Sequence, residues 1–210
     1  MPDRSYGQFC AVARSLDRIG DRWTLLVVRE LLRGPRTFGA LQQALPGISS
    51  TLLTDRLNGM RADGLVERND APQRSKAVAY ALTPVGLELE PVLMALVRWG
   101  GRWMVEGPGD DHFDPAWAGI ALKALLHDTP VGGPGSRGAT VHITIDGDVT
   151  TVQLRRGRRQ VSYGATGRPD AVIDGSVMDV LGVAAGLASI DDVDLDVRGD
   201  AAAARLVLVP

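Results

Sequence analysis

Residues 48–63 read Ile48-Ser49-Ser50-Thr51-Leu52-Leu53-Thr54-Asp55-Arg56-Leu57-Asn58-Gly59-Met60-Arg61-Ala62-Asp63, and they decide how the first half of the chain folds. Pro46 and Gly47 break any preceding helix, Ser49 or Ser50 is placed to cap a first turn, and Gly64 follows at the usual C-cap position. At about 100° per residue, Leu53, Leu57 and Met60 fall on one side of such a helix, with Thr51, Thr54, Asn58 and Arg61 opposite. Short polar side chains with one arginine suit contact with base edges and phosphates in a major groove. An ordinary amphipathic surface helix has the same pattern, so the flanking sequence must decide.

Upstream, Phe9 to Ile19 reads as a helix with Val12, Leu16 and Ile19 as its apolar stripe, ended by Gly20, with Cys10 off that stripe. Asp21 is placed to cap a second helix, Arg22 to Arg33, apolar enough to be central and buried. Gly34 and Pro35 end it, Arg36 and Thr37 lead in, and Thr37 caps a short third helix, Phe38 to Leu45. Helix, tight turn and a second helix with a polar outer face make a helix-turn-helix. Downstream, Leu65 to Asn69 and Ala77 to Leu82 are predicted strands, and the tip between them carries Arg74, Ser75 and Lys76. Such a hairpin is either a wing that touches the DNA backbone or a solvated turn. The candidate DNA-contacting residues are therefore Ser49, Ser50, Thr51, Thr54, Asn58 and Arg61 on the helix, with Arg36, Thr37 and the wing tip at its flanks. Arg56 lies off the polar arc and fits a phosphate contact or an internal ion pair better than base readout.

Thr83-Pro84 starts the next helix, with Thr at the N-cap and Pro at N1. From Pro84 to Met104 the spacing of Val85, Leu89, Val92, Leu96, Trp99 and Trp103 alternates between four and three, a heptad seam, with a kink predicted at Pro91. Leu93 and Val97 form a second apolar line, so this helix is expected to face its own core on one side. Leu89, Val92, Leu96, Trp99 and Trp103 would then meet a second copy, unless the monomer buries them all.

These motifs occur in an order that identifies a family. Tyr6-Gly7-Gln8-Phe9-Cys10, Gly20-Asp21-Arg22-Trp23-Thr24, Arg29-Glu30-Leu31, Gly34-Pro35-Arg36-Thr37-Phe38, Leu45-Pro46-Gly47-Ile48-Ser49, Leu52-Leu53-Thr54-Asp55-Arg56-Leu57, Gly64-Leu65-Val66, and Tyr80-Ala81-Leu82-Thr83 with Gly86 together resemble the HxlR family of bacterial winged-helix regulators. The resemblance spans Tyr6 to Trp103 and implies a homodimer that binds operator DNA with one winged helix per half-site. It also implies a second reading, because some HxlR relatives sense oxidants or electrophiles through cysteine. Cys10 is the candidate here, acting through an intersubunit disulfide or an adduct. Ala11 and Ser50 stand where family members usually or often have proline, and the second departure prevents any transfer of base preference.

Composition bounds the alternatives. A chain of 210 residues with 45% hydrophobic and 23% charged residues is ordinary for one or two soluble domains. It lacks a signal-peptide pattern and any apolar run near the ~20 residues of a membrane span, so a cytoplasmic protein is expected. One cysteine excludes an intrachain disulfide, and His112, His127 and His142 are too dispersed to suggest a metal. No phosphate loop, nucleophile elbow or triad spacing appears, so neither an enzyme nor a cofactor is expected. Residues 1–105 hold 14 Lys and Arg against 10 Asp and Glu, while 106–210 hold 9 against 15, so a polyanion would favour the first half.

The second half follows a polar stretch at 105–114, rich in Gly, Pro and Asp, read as a linker between domains at 1–104 and 115–210. Pro115 to His127 is a predicted helix with Trp117, Ile120, Ala121, Ala124 and Leu125 on one side, and Thr129 to Gly138 a loop. The period then changes to two, giving strands around Val141, Ile143 and Ile145, at Thr150 to Arg155, at Arg159 to Tyr163, and at Ala171 to Asp174. Arg155-Arg156-Gly157-Arg158-Arg159 is either a nucleic-acid patch or a solvated turn. Ser176 caps a helix through Gly186, Val193 to Val197 is strand-like, and Gly199-Asp200 starts a last helix. The helix, meander, Ser-capped helix and Val197-Arg198-Gly199-Asp200 resemble the sterol carrier protein type two fold, which implies a helix-covered sheet enclosing an apolar cavity. Trp117, Ile143, Ile145, Val152, Leu154, Val177, Leu181 and Leu206 are the candidate lining, with plain core packing as the alternative.

The expected fold is α+β, an amino-terminal winged helix-turn-helix followed by a helix-covered β-sheet. The expected function is that of a dimeric DNA-binding transcriptional regulator, a repressor, whose second domain binds an apolar small-molecule effector or supports assembly. A lipid-binding module whose winged helix serves only protein contact is the reading from another class.

Overall fold

A computed structural model describes residues 5–69, 78–104, 106–107, 109–131 and 138–210, with Asn69 described through its backbone alone. The chain forms two compact units, Met1–Leu93 and Met94–Pro210. The division falls inside one helix, upstream of the 105–114 stretch.

In the first unit, α1 (Ala11–Ile19), α2 (Thr24–Leu31), α3 (Phe38–Ala44) and α4 (Ser50–Ala62) precede the strands β2 (Val66–Asn69) and β3 (Ala79–Leu82) and the short α5 (Pro84–Leu87). Arg36 and Thr37, expected only as a lead-in, form a further strand, β1, so the sheet has the order β1-β3-β2 and is antiparallel throughout. One core gathers Val27, Val28 and Leu31 of α2, Leu41 of α3, Leu53, Leu57 and Met60 of α4, and Leu65 and Val66 beyond it. The predicted central helix is thus central, though shorter at both ends than expected. Asp21 does not cap it: Trp23 occupies the N-cap without a side-chain bond, and the Asp21 carboxylate pairs with Arg56 instead. The stripe predicted on α1 is also corrected, because Val12 and Leu16 lie exposed along with Phe9, while Ala13 is the residue that α1 buries. A helical period shows that a face is apolar; it does not say which body covers it.

The long helix predicted from Pro84 to Met104 is three pieces: α5, then α6 (Glu90–Gly100), then a 3-10 turn at Gly101–Trp103. The break has a direct cause. A helical Pro91 lacks the amide that would bond to Leu87 and presses its ring on that same carbonyl, and Leu87 is where α5 stops. Pro91 then sits in the first turn of α6, where its missing amide costs nothing.

In the second unit, α7 (Ala116–Leu126), α8 (Val177–Ala184) and α9 (Ala201–Leu208) cover one face of a five-stranded sheet, β4 (Ala139–Ile145), β5 (Asp148–Arg155), β6 (Arg158–Tyr163), β7 (Ala171–Gly175) and β8 (Leu195–Gly199). Its order is β6-β5-β4-β7-β8, antiparallel except where β4 runs parallel to β7. The predicted alternation holds, since Val141, Ile143 and Ile145 point to the helices along with Val152, Val161, Ala171 and Ile173. The face predicted for α7 is corrected: of its residues only Ile120 and Ala124 are buried, together with Ala118, Leu122 and Leu126, while Trp117, Ala121 and Leu125 are half-buried. Ser176 caps α8 by accepting from Asp179 N at 3.1 Å, and Asp200 caps α9 through two backbone amides. Arg159, 2% exposed, donates to the carbonyls of Val207, Leu206 and Val209 and to the Thr129 hydroxyl, closing the end of α9. Burial lowers the pKa of this guanidinium, and helix-end carbonyls stand where a carboxylate would be expected.

Candidate nucleic-acid interface

The geometry of α4 follows from its ends. Ser49 Oγ accepts from Leu52 N at 3.2 Å, satisfying one of the free amides of the first turn, worth about 1 kcal/mol. At the other end Gly64 adopts φ +71°, Leu65 N donates to Met60 O and Gly64 N to Arg61 O, a Schellman closure that a side chain at Gly64 would strain. The exit is then pinned twice. Thr83 Oγ1 donates to Gly64 O at 2.6 Å while accepting from Gly86 N, and a Cβ on Gly86 would lie 2.1 Å from Leu65 O. Arg18 of α1 reaches Asp63 at 2.8 Å. The helix is held at its cap, its exit and along its buried face.

What it leaves outward is polar. Ser50, Thr51, Thr54, Asn58 and Arg61 are exposed, above buried Leu53, Leu57 and Met60. Thr54 Oγ1 donates to Ser50 O at 2.8 Å, so its hydroxyl proton is engaged and its lone pairs and methyl face out. Arg61 has no carboxylate partner among the described residues. Asp55, which the sequence reading passed over, shares the exposed arc one turn from Thr51; the same helical wheel locates it. A carboxylate there can accept from a cytosine amino group and disfavours a phosphate beneath it.

The flanking candidates divide. Arg56 is mostly buried and paired with Asp21, and its Nε has no partner among the described residues. Arg36 turns inward: Nε donates to Glu30 O at 3.1 Å and Nη2 lies 3.4 Å from Glu30 Oε2. Glu30, 1% exposed and also 2.9 Å from Arg29 Nε, is a buried carboxylate tying α2 to β1, and its apolar neighbours in sequence gave no sign of it. Thr37 caps α3 by accepting from Ala40 N at 3.2 Å. Arg74, Ser75 and Lys76 lie outside the described residues. The structure thus gathers the helix candidates on one surface, assigns Ser49 and Thr37 to capping, and turns Arg36 and Arg56 toward internal acids.

Of the seam residues, Leu89 packs on the core of the first unit, while Val92, Leu96, Trp99 and Trp103 are exposed, the two indoles by 57% and 64%. Trp99 and Trp103 stack edge to face at 4.6 Å with Arg102 over both rings. Leu93 and Met94, on the other side of α6, are buried. Cys10 is exposed at the N-cap of α1. The amides of Ala13 and Val12 hold its thiol below the usual cysteine pKa without reaching full hydrogen-bond geometry.

The candidate ligand-lining residues mostly form solid core. Ile143, Ile145, Val152 and Leu154 are fully buried, with Val177 and Leu181 packed against the same cluster. Trp117 is half-buried between His112 and Phe113. Leu206 borders a surface cavity of about 500 Å³ beside Arg159 and Val209, and a neighbouring cavity of about 420 Å³ lies between Val183 and Pro210. The described residues hold no group of three or more His, Cys, Asp or Glu suited to a metal ion. Among them no helix is long and apolar enough to cross a membrane.

Comparison with known proteins covers the first unit and reaches into the second. A family model described as HxlR-like helix-turn-helix matches residues 18–108. The uncharacterized HTH-type transcriptional regulator sll1512 of Synechocystis sp. is 38% identical over 98 residues, 47% of this chain and 73% of the relative. The uncharacterized HTH-type transcriptional regulator Rv3095 of Mycobacterium tuberculosis is 36% identical over 139 residues, 60% of this chain and 87% of the relative. Among solved structures, that of the redox regulator HypR in its oxidized form is 32% identical and covers 44% of this chain and 96% of its own, with a TM-score of 0.42.

Proposed function

The chain belongs to the HxlR-like helix-turn-helix family, a family of transcriptional regulators and not of enzymes, and from that premise we propose a homodimeric repressor in which α4 reads operator DNA. DNA-binding regulation is the family's activity; the dimer, the sign of control and the effector belong to the proposal. The observation that carries it is the exposed arc Ser50, Thr51, Thr54, Asp55, Asn58 and Arg61 on a helix fixed at both ends. Rigid mounting matters because readout needs side chains held within a fraction of an ångström of base edges. Asn58 and Arg61 are the strongest readers, an amide suited to adenine and a guanidinium suited to guanine or phosphate. Thr51 offers a methyl group to thymine.

The dimer is supported by α6. A face of Val92, Leu96, Trp99 and Trp103 left in water buries little apolar area in one copy, and a second copy would bury it. Two winged helices would then meet half-sites related by the same two-fold axis. The helix-covered sheet of the second unit agrees with the sterol-carrier-like reading, in which this unit senses an apolar effector. Its large apolar residues fill the core, so an effector would enter beside Leu206 or displace packed side chains. The effector would act by favouring a dimer geometry that no longer matches successive grooves.

One observation favours a second route of control. The exposed Cys10 thiol, lowered by helix-start amides, is suited to reaction with an oxidant or electrophile. If Cys10→Ser leaves release from DNA by diamide and aldehydes unchanged, this route is out.

The reading is tested by mobility shift of a duplex from the gene's own upstream region against a scrambled duplex of equal length. The expected result is a preference of at least about 10³-fold at physiological salt; equal binding to both would sink it.

A further inference from the structure

The second unit's sheet contains two hairpins of the same geometry and different chemistry. Each joins its strands by two residues with positive φ, Asp146 (+48°) with Gly147 (+83°), and Arg156 (+51°) with Gly157 (+72°). Such turns favour Asn, Asp or Gly at the first position, and Asp146 conforms. Arg156 does not: a long side chain in the left-handed region carries strain that a neighbouring turn of the same sheet avoids.

A second cost falls on the same hairpin. Arg155 and Arg158 are directly cross-strand, an arrangement in which like charges repel. Both are exposed, as is Arg156. Arg158 is partly offset by Asp128 at 3.1 Å in an exposed pair, while Arg155 and Arg156 have no acidic partner among the described residues. The cluster stands in a half of the chain that is otherwise net acidic. Arg159, next in sequence, is buried against the end of α9 and takes no part.

The surroundings limit the partner. The face away from the helices continues from Arg155 and Arg158 through Gln153, Gln160 and Ser162, with no apolar side chain among them. A protein partner would be expected to find an aromatic or aliphatic anchor. A polyanion needs only cations and hydrogen-bond donors, and guanidinium groups match phosphate oxygens in pairs.

We propose that the β5–β6 hairpin is a second, sequence-independent DNA contact, with Arg155 and Arg156 engaging backbone phosphates. It rests on the regulator reading for the presence of DNA, and it fails separately from it. The test uses the full-length protein and its Arg155→Ser/Arg156→Gly variant, with fluorescence anisotropy on the upstream duplex and a scrambled duplex from 50 to 200 mM salt. Each phosphate contact adds about 0.9 to the log–log salt slope, so losing two makes the variant's affinity loss over that range about ten-fold smaller than wild type's. The reduction should be equal on both duplexes, with an unchanged or raised melting temperature showing that the fold is intact. A slope unchanged on both duplexes overturns the proposal, as does loss of poly-glutamate binding without a DNA effect, which would assign the hairpin to an acidic protein. An Asn58→Ala/Arg61→Ala variant keeps the two ideas apart: the regulator reading predicts that it loses preference for the upstream duplex while keeping the hairpin's salt dependence. If wild type shows no preference yet the hairpin variant changes the slope, the regulator reading fails and the hairpin contact stands.

Discussion

The helices α6 and α7 have the same length and both are rich in apolar residues, yet they end in different surroundings. Ala118, Ile120, Leu122, Ala124 and Leu126 make α7 buried almost all round, inside a unit whose sheet and helices close on each other. On α6, Leu93 and Met94 are buried while Val92, Leu96 and Trp99 remain in water, and Trp103 follows on the 3-10 turn. The difference teaches that apolar content alone does not define a core. The closed region buries its apolar residues within one copy; the exposed one is the surface that the proposed dimer would cover.

The largest expected effect lies in the closed region. Ile173→Ala removes a fully buried side chain of β7, the strand between β4 and β8, from under the helices and should cost about 2–5 kcal/mol, read as a lower midpoint in thermal or urea unfolding. Trp99→Ala with Trp103→Ala should instead leave the fold intact. It should weaken self-association by about 2 kcal/mol or more, some thirty-fold, in sedimentation equilibrium; an unfolded variant would erase the contrast. Gly86→Ala probes how α4 is mounted, since the new methyl meets Leu65 O; about 1–3 kcal/mol of stability should be lost. Ser49→Ala should cost about 1 kcal/mol, and Ser49→Gly only a few tenths, if capping is the residue's main role.

Much of this contrast was legible in the sequence because local rules governed it. The caps at Ser49, Thr37, Thr83, Ser176 and Asp200 follow from short side chains next to helix starts. The period of two in β4 follows from a sheet wet on one side. The polar arc of α4 emerged from the wheel alone, though Asp55 on that arc was passed over.

What stayed hidden depends on partners distant in sequence. Asp21 has the chemistry of a cap, but Arg56, 35 residues on, claims its carboxylate. Arg36 reads as a surface cation until Glu30 is known to be buried beneath it. β1 could not be seen because a two-residue strand has no period. The heptad seam was visible while the break at Leu87 was placed at Pro91, because proline disrupts the turn before it rather than its own position. The buried Arg159 sits in a basic run that reads as uniformly exposed, and only the end of α9 distinguishes it from its neighbours.

Hydroxyl-radical footprinting on the upstream duplex tests the central claim, that an exposed α6 seam pairs two copies so that two α4 helices read DNA. The account predicts two related protected half-sites, centred about 10 base pairs or a multiple apart, both lost with Trp99→Ala/Trp103→Ala at concentrations where that variant is monomeric. A single protected patch that persists in the monomeric variant would contradict it.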